Sequence, residues 1–371
     1  MILSTIVTVF CLSSFALTSV PTAHVLQISS TPDSDVHGQL VQLIDRAQSS
    51  IQIWMYSWTD KTVSDALIRA HQRGVATQVI MDPANYHAGI AAPTGRLYDL
   101  PTSDGPYDAT SASGVSGASK ASSVVTDLSQ AGVEIVAGTQ AFSLTHAKTL
   151  IIDSKLAAIM TMNLTKIAGK VRDTAVFTDD PGIIYDLQNL FQADLQNSQN
   201  NGSLTPNFRS QSLVVSPTNS TSQIVSLIQS ARREILITTE NFGSDDVIQA
   251  LTLALKSNVQ VTIITPLCDM SSDHFYNIPH LQNFQSLGAN VRVMSYPASP
   301  LLPYIHQKLI IVDRAIAYVG SENLTFNSLA KAREIGLVFN LPNQYLLQVF
   351  QADLQASEAL PSQIPTTCSP L

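Results

Sequence analysis

Apolar residues recur along this chain at the spacing of helix faces and strand interiors, and they do so twice. Leu40, Leu43, Ile44 and Ala47 stand at i, i+3, i+4 and i+7, which lines one face of a helix. Ile224, Leu227, Ile228 and Ala231 repeat that pattern 184 positions later. Each predicted helix runs into a β-branched apolar strand, Ile51 to Trp58 and Ile235 to Thr239, and then into a second helix. The second helices carry Val63/Ala66/Leu67/Ala70 and Val247/Ala250/Leu251/Ala254, again 184 apart. Strands at Ala76 to Met81 and Val259 to Thr265 follow. Helix, strand, helix, strand is a βαβ order, whose strands pair in parallel through a right-handed crossover. The predicted fold class is α/β, as duplicated halves, each a mostly parallel sheet flanked by helices.

Later in each half the offset changes. The helix-to-strand passages Asp127 to Val136 and Phe284 to Val293 correspond, and the hexapeptide from Phe191 to Gln196 recurs letter for letter as Phe350 to Gln355, at a shift near 160. An insertion in the first half accounts for the difference, and the Gly/Ser/Ala-rich stretch from Ala84 to Ser123 reads as that surface loop. The expected division is an export segment over 1–23, a first half over 24–196, a polar linker over 197–212 and a second half over 213–371. With unbroken apolar strands in both halves, two similar sheets should pack into one body around a pseudo-two-fold axis.

Composition narrows the function. The chain has 371 residues, 45% of them hydrophobic, enough for a substantial core. A formal net charge of -8 gives no general attraction to nucleic acid, so an anionic substrate has to be captured locally. Ile2 to Val20 is apolar with small residues beyond it and reads as a cleaved export signal, an uncleaved anchor or buried first element being the other readings. Of three cysteines, Cys268 and Cys368 lie beyond that segment; export would allow them to pair, and two free thiols are the alternative. Their surroundings lack zinc-site spacing, so no structural metal is expected.

The chemistry lies in a polar trio set into apolar strands. Thr145-His146-Ala-Lys148 leads through Leu150-Ile-Ile to Asp153 and then Asn163; Ile305-His306-Gln-Lys308 leads through Leu309-Ile-Ile-Val to Asp313 and then Gly320-Ser321-Glu-Asn323. The His, Lys, Asp and Asn positions all shift by 160. Residues two apart in a strand share a face, so His146 and Lys148 present an imidazole and an ammonium together, as do His306 and Lys308. One such pairing is ordinarily structural. Two copies at matching places, each costly to bury unless satisfied or used, point to a site.

These residues resemble the HKD signature of the phospholipase D superfamily, His-x-Lys-x4-Asp-x6-Gly-Ser-x-Asn, over nearly all of the chain beyond the export segment. The second copy matches throughout; the first has Met160 and Thr161 where Gly and Ser are expected. The resemblance implies a two-step displacement without metal or other cofactor. One neutral imidazole attacks phosphorus to give a phosphohistidine, while the other, protonated, serves the leaving alcohol and then activates water. By that analogy His146 is the nucleophile and His306 the general acid. Lys148 and Lys308 would hold the non-bridging oxygens with Asn163, Asn323, Thr161 and Ser321. Asp173 and Glu334, each after an arginine (Arg172, Arg333), would orient the imidazoles, with ordinary strand-end ion pairs as the other reading. Asp153, Asp313 and Gly320 would be structural parts of the motif.

The expected activity is hydrolysis of phospholipid phosphodiesters. The apolar, proline-stiffened stretch Tyr296 to Ile305 before His306 suits acyl chains or a bilayer surface, or is a packed connector. Tyr86, Tyr98 and Tyr107 in the insertion are accompanied by only Arg96 and Lys120, fewer cations than a nucleic-acid groove needs. A nuclease, a transphosphatidylase of the cardiolipin synthase kind, and a non-catalytic phosphoester-binding module are the alternatives.

Overall fold

A computed structural model describes residues 23–90, 124–268, 277–294 and 298–364. The export segment, most of the insertion with Tyr98 and Tyr107, Tyr296, and two cysteines, Cys11 and Cys368, lie outside them. Cys268 is buried and disulfide-bonded.

The first half supplies β1 (Gln27–Thr31), β2 (Ser50–Met55), β3 (Ala76–Met81), β4 (Glu134–Ala137), β5 (Thr149–Ile152), β6 (Leu156–Met160) and β7 (Val171–Thr178), in the sheet order β1-β7-β6-β5-β2-β3-β4. The second half contains β8 (Leu213–Ser216), β9 (Glu234–Thr238), β10 (Phe242–Gly243), β11 (Gln260–Pro266), β12 (Asn290–Met294), β13 (Tyr304–Ile305), β14 (Leu309–Val312), β15 (Ile316–Gly320), β16 (Leu324–Thr325), β17 (Glu334–Asn340) and β18 (Glu358–Ala359). Its main sheet runs β18-β12-β11-β9-β14-β15-β17-β8. Apart from the added β18 this is the first sheet again.

The parallel pairing that the βαβ order predicts is present where the helices cross over, in β2-β3-β4 and β9-β11-β12. The motif strands are instead antiparallel meanders, β5-β6-β7 and β14-β15-β17, with short turns joining β5 to β6 and β14 to β15. Asp153 and Asp313 sit in those turns with φ of 53° and 50°. Helices Val36–Arg46 and Lys61–Gln72 bury the stripes read above against one sheet, and Ser220–Ser230 and Asp245–Lys256 do the same on the other. The Asp60 side chain caps the second of these, accepting the Thr62 N–H at 2.8 Å.

Between the sheets lies a third core that neither half builds alone. Trp54, Ile151, Ile159 and Phe191 from the first half join Leu236, Leu309, Leu337 and Phe350 from the second. The recurring hexapeptide belongs to this layer, and its aspartates cross it. Asp194 bonds Arg333 of the second half and the Trp54 indole, while Asp353 takes Arg172 of the first half in a bidentate pair at 2.8–3.1 Å. These pairs are buried.

Two boundaries differ from the expectation. Residues Ala84 to Ile90 are not loop but the helix Pro83–Ile90, started by the Asp82 carboxylate accepting the N–H groups of Ala84 and Asn85. Helix Pro181–Asn200 runs four residues into the segment read as linker and stops where Asn201 turns left-handed. Asn and Ser in that stretch mask a helix end whose buried Asn197 holds Leu204 from both sides.

Candidate active site

Each His-x-Lys segment leaves its own half to dock on the other. Tyr304–Ile305 pairs in parallel with Val171–Arg172, and the N–H groups of His306 and Gln307 donate to the Arg172 carbonyl at 3.2 and 2.7 Å. Thr145 bridges Arg333 in the same sense, and His146 and Ala147 donate to the Arg333 carbonyl at 2.9 and 3.0 Å. The acid following each arginine then meets the visiting histidine. Nδ1 of His146 lies 2.8 Å from Glu334 Oε2, and Nδ1 of His306 lies 2.8 Å from Asp173 Oδ1. The acids are not ion-paired with their neighbouring arginines, which are engaged in the crossed pairs above. A carboxylate at Nδ1 fixes the proton there and leaves Nε2 as the reactive atom.

The lysines lie below the histidines, each Nζ donating to the carbonyl of its own histidine at 2.6 Å. Both are buried. Burial pushes the Lys148 ammonium down to about 7, with Lys308 pushing the same way and Glu334, Asp173 and Glu240 opposing. Burial likewise pushes His146 down to about 4, with Glu334 opposing and the two lysine charges reinforcing. Glu334 is lowered despite its burial, held down by His146 and Lys148. His146 is therefore neutral near pH 7. Lys308 of the second half thus acts on both His146 and Lys148 of the first, so both halves face one site.

The hydroxyls expected to bind phosphate are committed elsewhere. Thr161 is fully buried and donates to Asp173 Oδ1 at 2.5 Å while accepting the Thr174 N–H. It supports the acid that holds His306. Ser321, also fully buried, exchanges hydrogen bonds with the backbone of Ile335. Ser328, which spacing did not single out, supports Glu334 in the way Thr161 supports Asp173. Asn163 and Asn323 remain partly exposed, and their buried Oδ1 atoms have no hydrogen-bond partner.

Gly320 also has a reason other than access to phosphate. A Cβ there would come within 2.5 Å of Gly336 Cα, the Glu322 carboxyl and the Tyr318 hydroxyl. The first half has Met160 facing Ala175 and needs no such gap. Asp153 and Asp313 lie away from the imidazoles. Asp153 accepts the N–H groups of Gln48, Ser49 and Ser50 at 2.7–3.1 Å, and Asp313 those of Arg232, Arg233 and Glu234 at 2.8–3.0 Å. Each ties the motif turn to the start of the central strand.

Two side chains in the site were not found by motif spacing. Tyr56 and Glu240 directly follow the central segments of their halves, 184 apart. The Tyr56 ring packs edge-on against His146 with centroids 4.6 Å apart, and Lys148 Nζ lies 5.1 Å from its centroid. Glu240 Oε2 lies 3.3 Å from Lys308 Nζ and 3.9 Å from His306 Nε2, and its Oε1 accepts the Tyr304 hydroxyl at 2.8 Å. Burial acts upward on this carboxyl, yet Lys308, His306 and Tyr304 hold it down to about 2. Laying the halves over one another at the 184 offset was the signal available. Among the described residues no group of three or more His, Cys, Asp or Glu is placed to hold a metal ion.

Known proteins carry the same architecture. The model of the family described as "Cardiolipin synthase, PLD-like domain" matches residues 40–195 and 224–355. The chain is 41% identical over 63 residues to Phospholipase D Z of Dictyostelium discoideum, covering 17% of this chain and 15% of that protein. It is 34% identical over 103 residues to Cardiolipin synthase A of Pseudomonas syringae pv. syringae (strain B728a), covering 27% and 20%. The matched stretches thus span a fifth or less of these relatives. The phosphatidylserine synthase of Haemophilus influenzae Rd KW20 superposes with a TM-score of 0.65 at 13% identity, covering 92% of this chain and 89% of that one, which is a likeness of fold. With the family model spanning both halves and both motifs, the chain belongs to the cardiolipin synthase, PLD-like domain family.

Proposed function

We propose that this protein is a phosphatidyl-transfer enzyme that works through a phosphohistidine and passes the phosphatidyl group to an alcohol. The observation that carries the reading is the pair of imidazoles whose Nδ1 atoms are each held at 2.8 Å by a carboxylate from the opposite half, beside two buried lysines. One imidazole, neutral, attacks phosphorus with its Nε2 lone pair; the N–P bond forms as the P–O bond to the leaving alcohol breaks. The other, protonated, gives its Nε2 proton to that departing oxygen. An incoming hydroxyl then returns a proton to the second imidazole as its oxygen attacks phosphorus and the N–P bond breaks. Lys148 and Lys308, with the amides of Asn163 and Asn323, offset the charge on the non-bridging oxygens.

Hydrolysis was the first expectation. Transfer is favoured because the family description and the relatives named above are mostly synthases, and because a site this buried gives bulk water little advantage over a bound alcohol. The lipid substrate has the same support. We also propose that the chain is exported, a reading supported by the Cys268 disulfide; N-terminal sequencing of secreted protein would show whether the first 23 residues are removed.

The deciding experiment incubates purified protein, with EDTA, on phosphatidylglycerol vesicles containing a primary alcohol. The expected product is the transferred phosphatidyl lipid, lost in His146→Ala and His306→Ala. Phosphatidic acid alone would return the reading to hydrolysis. Cleavage of single-stranded DNA with lipid untouched would make it a nuclease, and inactivity on both would leave a phosphoester-binding module.

A further inference from the structure

The two halves of the site are not equivalent at the position after the central strand, where Tyr56 stands in one and Glu240 in the other. This matters because of what each histidine has left once Nδ1 is engaged. The His146 ring lies beside the aromatic ring of Tyr56, within the field of two lysine cations. His306 presents Nε2 at 3.9 Å from a carboxylate oxygen, with a second carboxylate already at Nδ1. A neutral imidazole bound through Nδ1–H would turn the Nε2 lone pair toward Glu240, which is repulsive. A proton on that nitrogen replaces the repulsion with a charge-assisted attraction. At His146 the lysine charges act in the opposite sense and favour the bare lone pair.

Glu240 is held firmly enough for this. Its carboxylate is fixed by Tyr304 and Lys308, and its carbonyl accepts the Asn277 amide at 2.8 Å and the Thr265 hydroxyl at 3.4 Å. Tyr304 belongs to the short strand that pairs with the first half, so this placement depends on both halves. The ionisable groups facing Glu240 are Lys308, His306 and Tyr304, with Lys148 feeling its charge from farther off. Glu240 also offsets Lys308, so Lys148 is the cation freer to receive the phosphoryl oxygens, on the His146 side.

We propose that Glu240 is a positioning residue that divides the labour between the two histidines, holding the proton on His306 Nε2 so that His306 is the acid and His146 the nucleophile. The proposal rests on the phosphoryl-transfer reading above. In the first step His146 Nε2 bonds to phosphorus and the His306 Nε2 proton passes to the leaving oxygen, yielding free alcohol. In the second the acceptor's proton returns to His306 Nε2, opposite Glu240, and His146 regains its lone pair.

The test compares phosphatidylglycerol, whose alkoxide needs a proton to depart, with phosphatidyl-p-nitrophenol, whose phenolate leaves unaided. With Glu240→Gln, kcat/KM on phosphatidylglycerol, which reports the steps up to departure of the leaving group, should fall about tenfold to a hundredfold further than kcat/KM on the nitrophenyl ester. The alkaline limb of kcat/KM should also move to lower pH, and Glu240→Asp should restore part of both. Protein denatured in detergent at neutral to mildly alkaline pH, where an N–P bond survives, should carry the phosphatidyl group on His146. Equal losses on both substrates with an unmoved pH profile would reduce Glu240 to a structural role, and phosphorylation of His306 would overturn the assignment. If Glu240→Gln does not fold, Tyr304→Phe should give the same leaving-group dependence in weaker form, and its absence there would count equally against the proposal. Wild-type protein inactive on both esters would instead sink the transfer reading itself.

Discussion

The two halves share their framework and differ beneath the site. Strand order, turn clamps, crossed arginines and the histidine-to-acid contacts all repeat, yet the chemistry behind them does not. Where the first half has Ala158, Met160 and Met162, the second has Tyr318, Gly320 and Glu322, and Tyr318 donates to Glu322 at 2.5 Å in a fully buried pair. The pair lies against Glu334, the acid that holds His146. The lesson is that duplication conserves what joins the halves, because each crossed contact needs its partner. The side chains packed behind the acids need no partner from the other half, and there the two halves differ.

The largest effect should come from the histidines and should not be symmetric. On phosphatidylglycerol both His146→Ala and His306→Ala should lose about a thousandfold or more in kcat. On phosphatidyl-p-nitrophenol only His146→Ala should be so impaired in kcat/KM, which reports the steps up to departure of the nitrophenolate, since that leaving group does not need the acid. Equal losses on the nitrophenyl ester would erase the functional difference between the halves.

The crossed ion pairs should by contrast behave alike. Arg333→Met and Arg172→Met each strand a buried aspartate, at a cost of about 3–5 kcal/mol in urea unfolding. Combining Arg333→Met with Asp194→Leu should recover most of that, because removing both charges removes the stranded one. A much smaller cost at one arginine than at the other would show that the halves are not locked symmetrically.

Glu322 sharpens the contrast in a pH titration. Burial, with Glu334 adding to it, raises its carboxyl to about 8, against about 4.3 for an unfolded glutamate. Between those values the folded chain holds a proton that the unfolded chain has released, so this group's contribution to stability falls as pH rises. The steepest slope is about 1.4 kcal/mol per pH unit. Glu322→Gln should flatten the decline in melting temperature across that window. An unchanged slope would mean that Glu322 is already ionised in the fold.

Much of this was legible in the sequence because periodicity and duplication are statements about position. The helix stripes of Leu40/Ile44 and Ile224/Ile228, the central strands and the paired His-x-Lys segments all follow from spacing. Spacing fails where a residue's meaning depends on what the other half brings to it. Thr161 looked like a phosphate ligand because it occupies the motif's hydroxyl position, but its oxygen is taken by Asp173. Glu240 holds no motif position, and only the approach of Tyr304, Lys308 and His306 gives it a role. The hexapeptide was visible as a repeat, yet its reason, an aspartate reaching across to the opposite arginine, is a long-range contact that no local pattern encodes.

The smallest effect should be the most symmetric. Asp153 and Asp313 each gather three backbone N–H groups at the start of the facing central strand, so both carboxyls lie below their ordinary value although burial acts the other way. Above about pH 3.9, the value for an unfolded aspartate, the folded carboxylate contributes fully. As pH falls through the lower folded value, protonation takes that contribution away. Asp153→Asn and Asp313→Asn keep the shape but not the charge, and in these solvent-accessible turns each should cost about 1 kcal/mol at pH 7. The gap to wild type should close as the pH falls through the lowered folded value, where the native carboxyls are themselves neutralised. The turns lie outside the imidazole chemistry, so the nitrophenyl to glycerol rate ratio should stay at the wild-type value in both variants. A change in that ratio for one aspartate alone would place the difference between the halves in the framework rather than beneath the site.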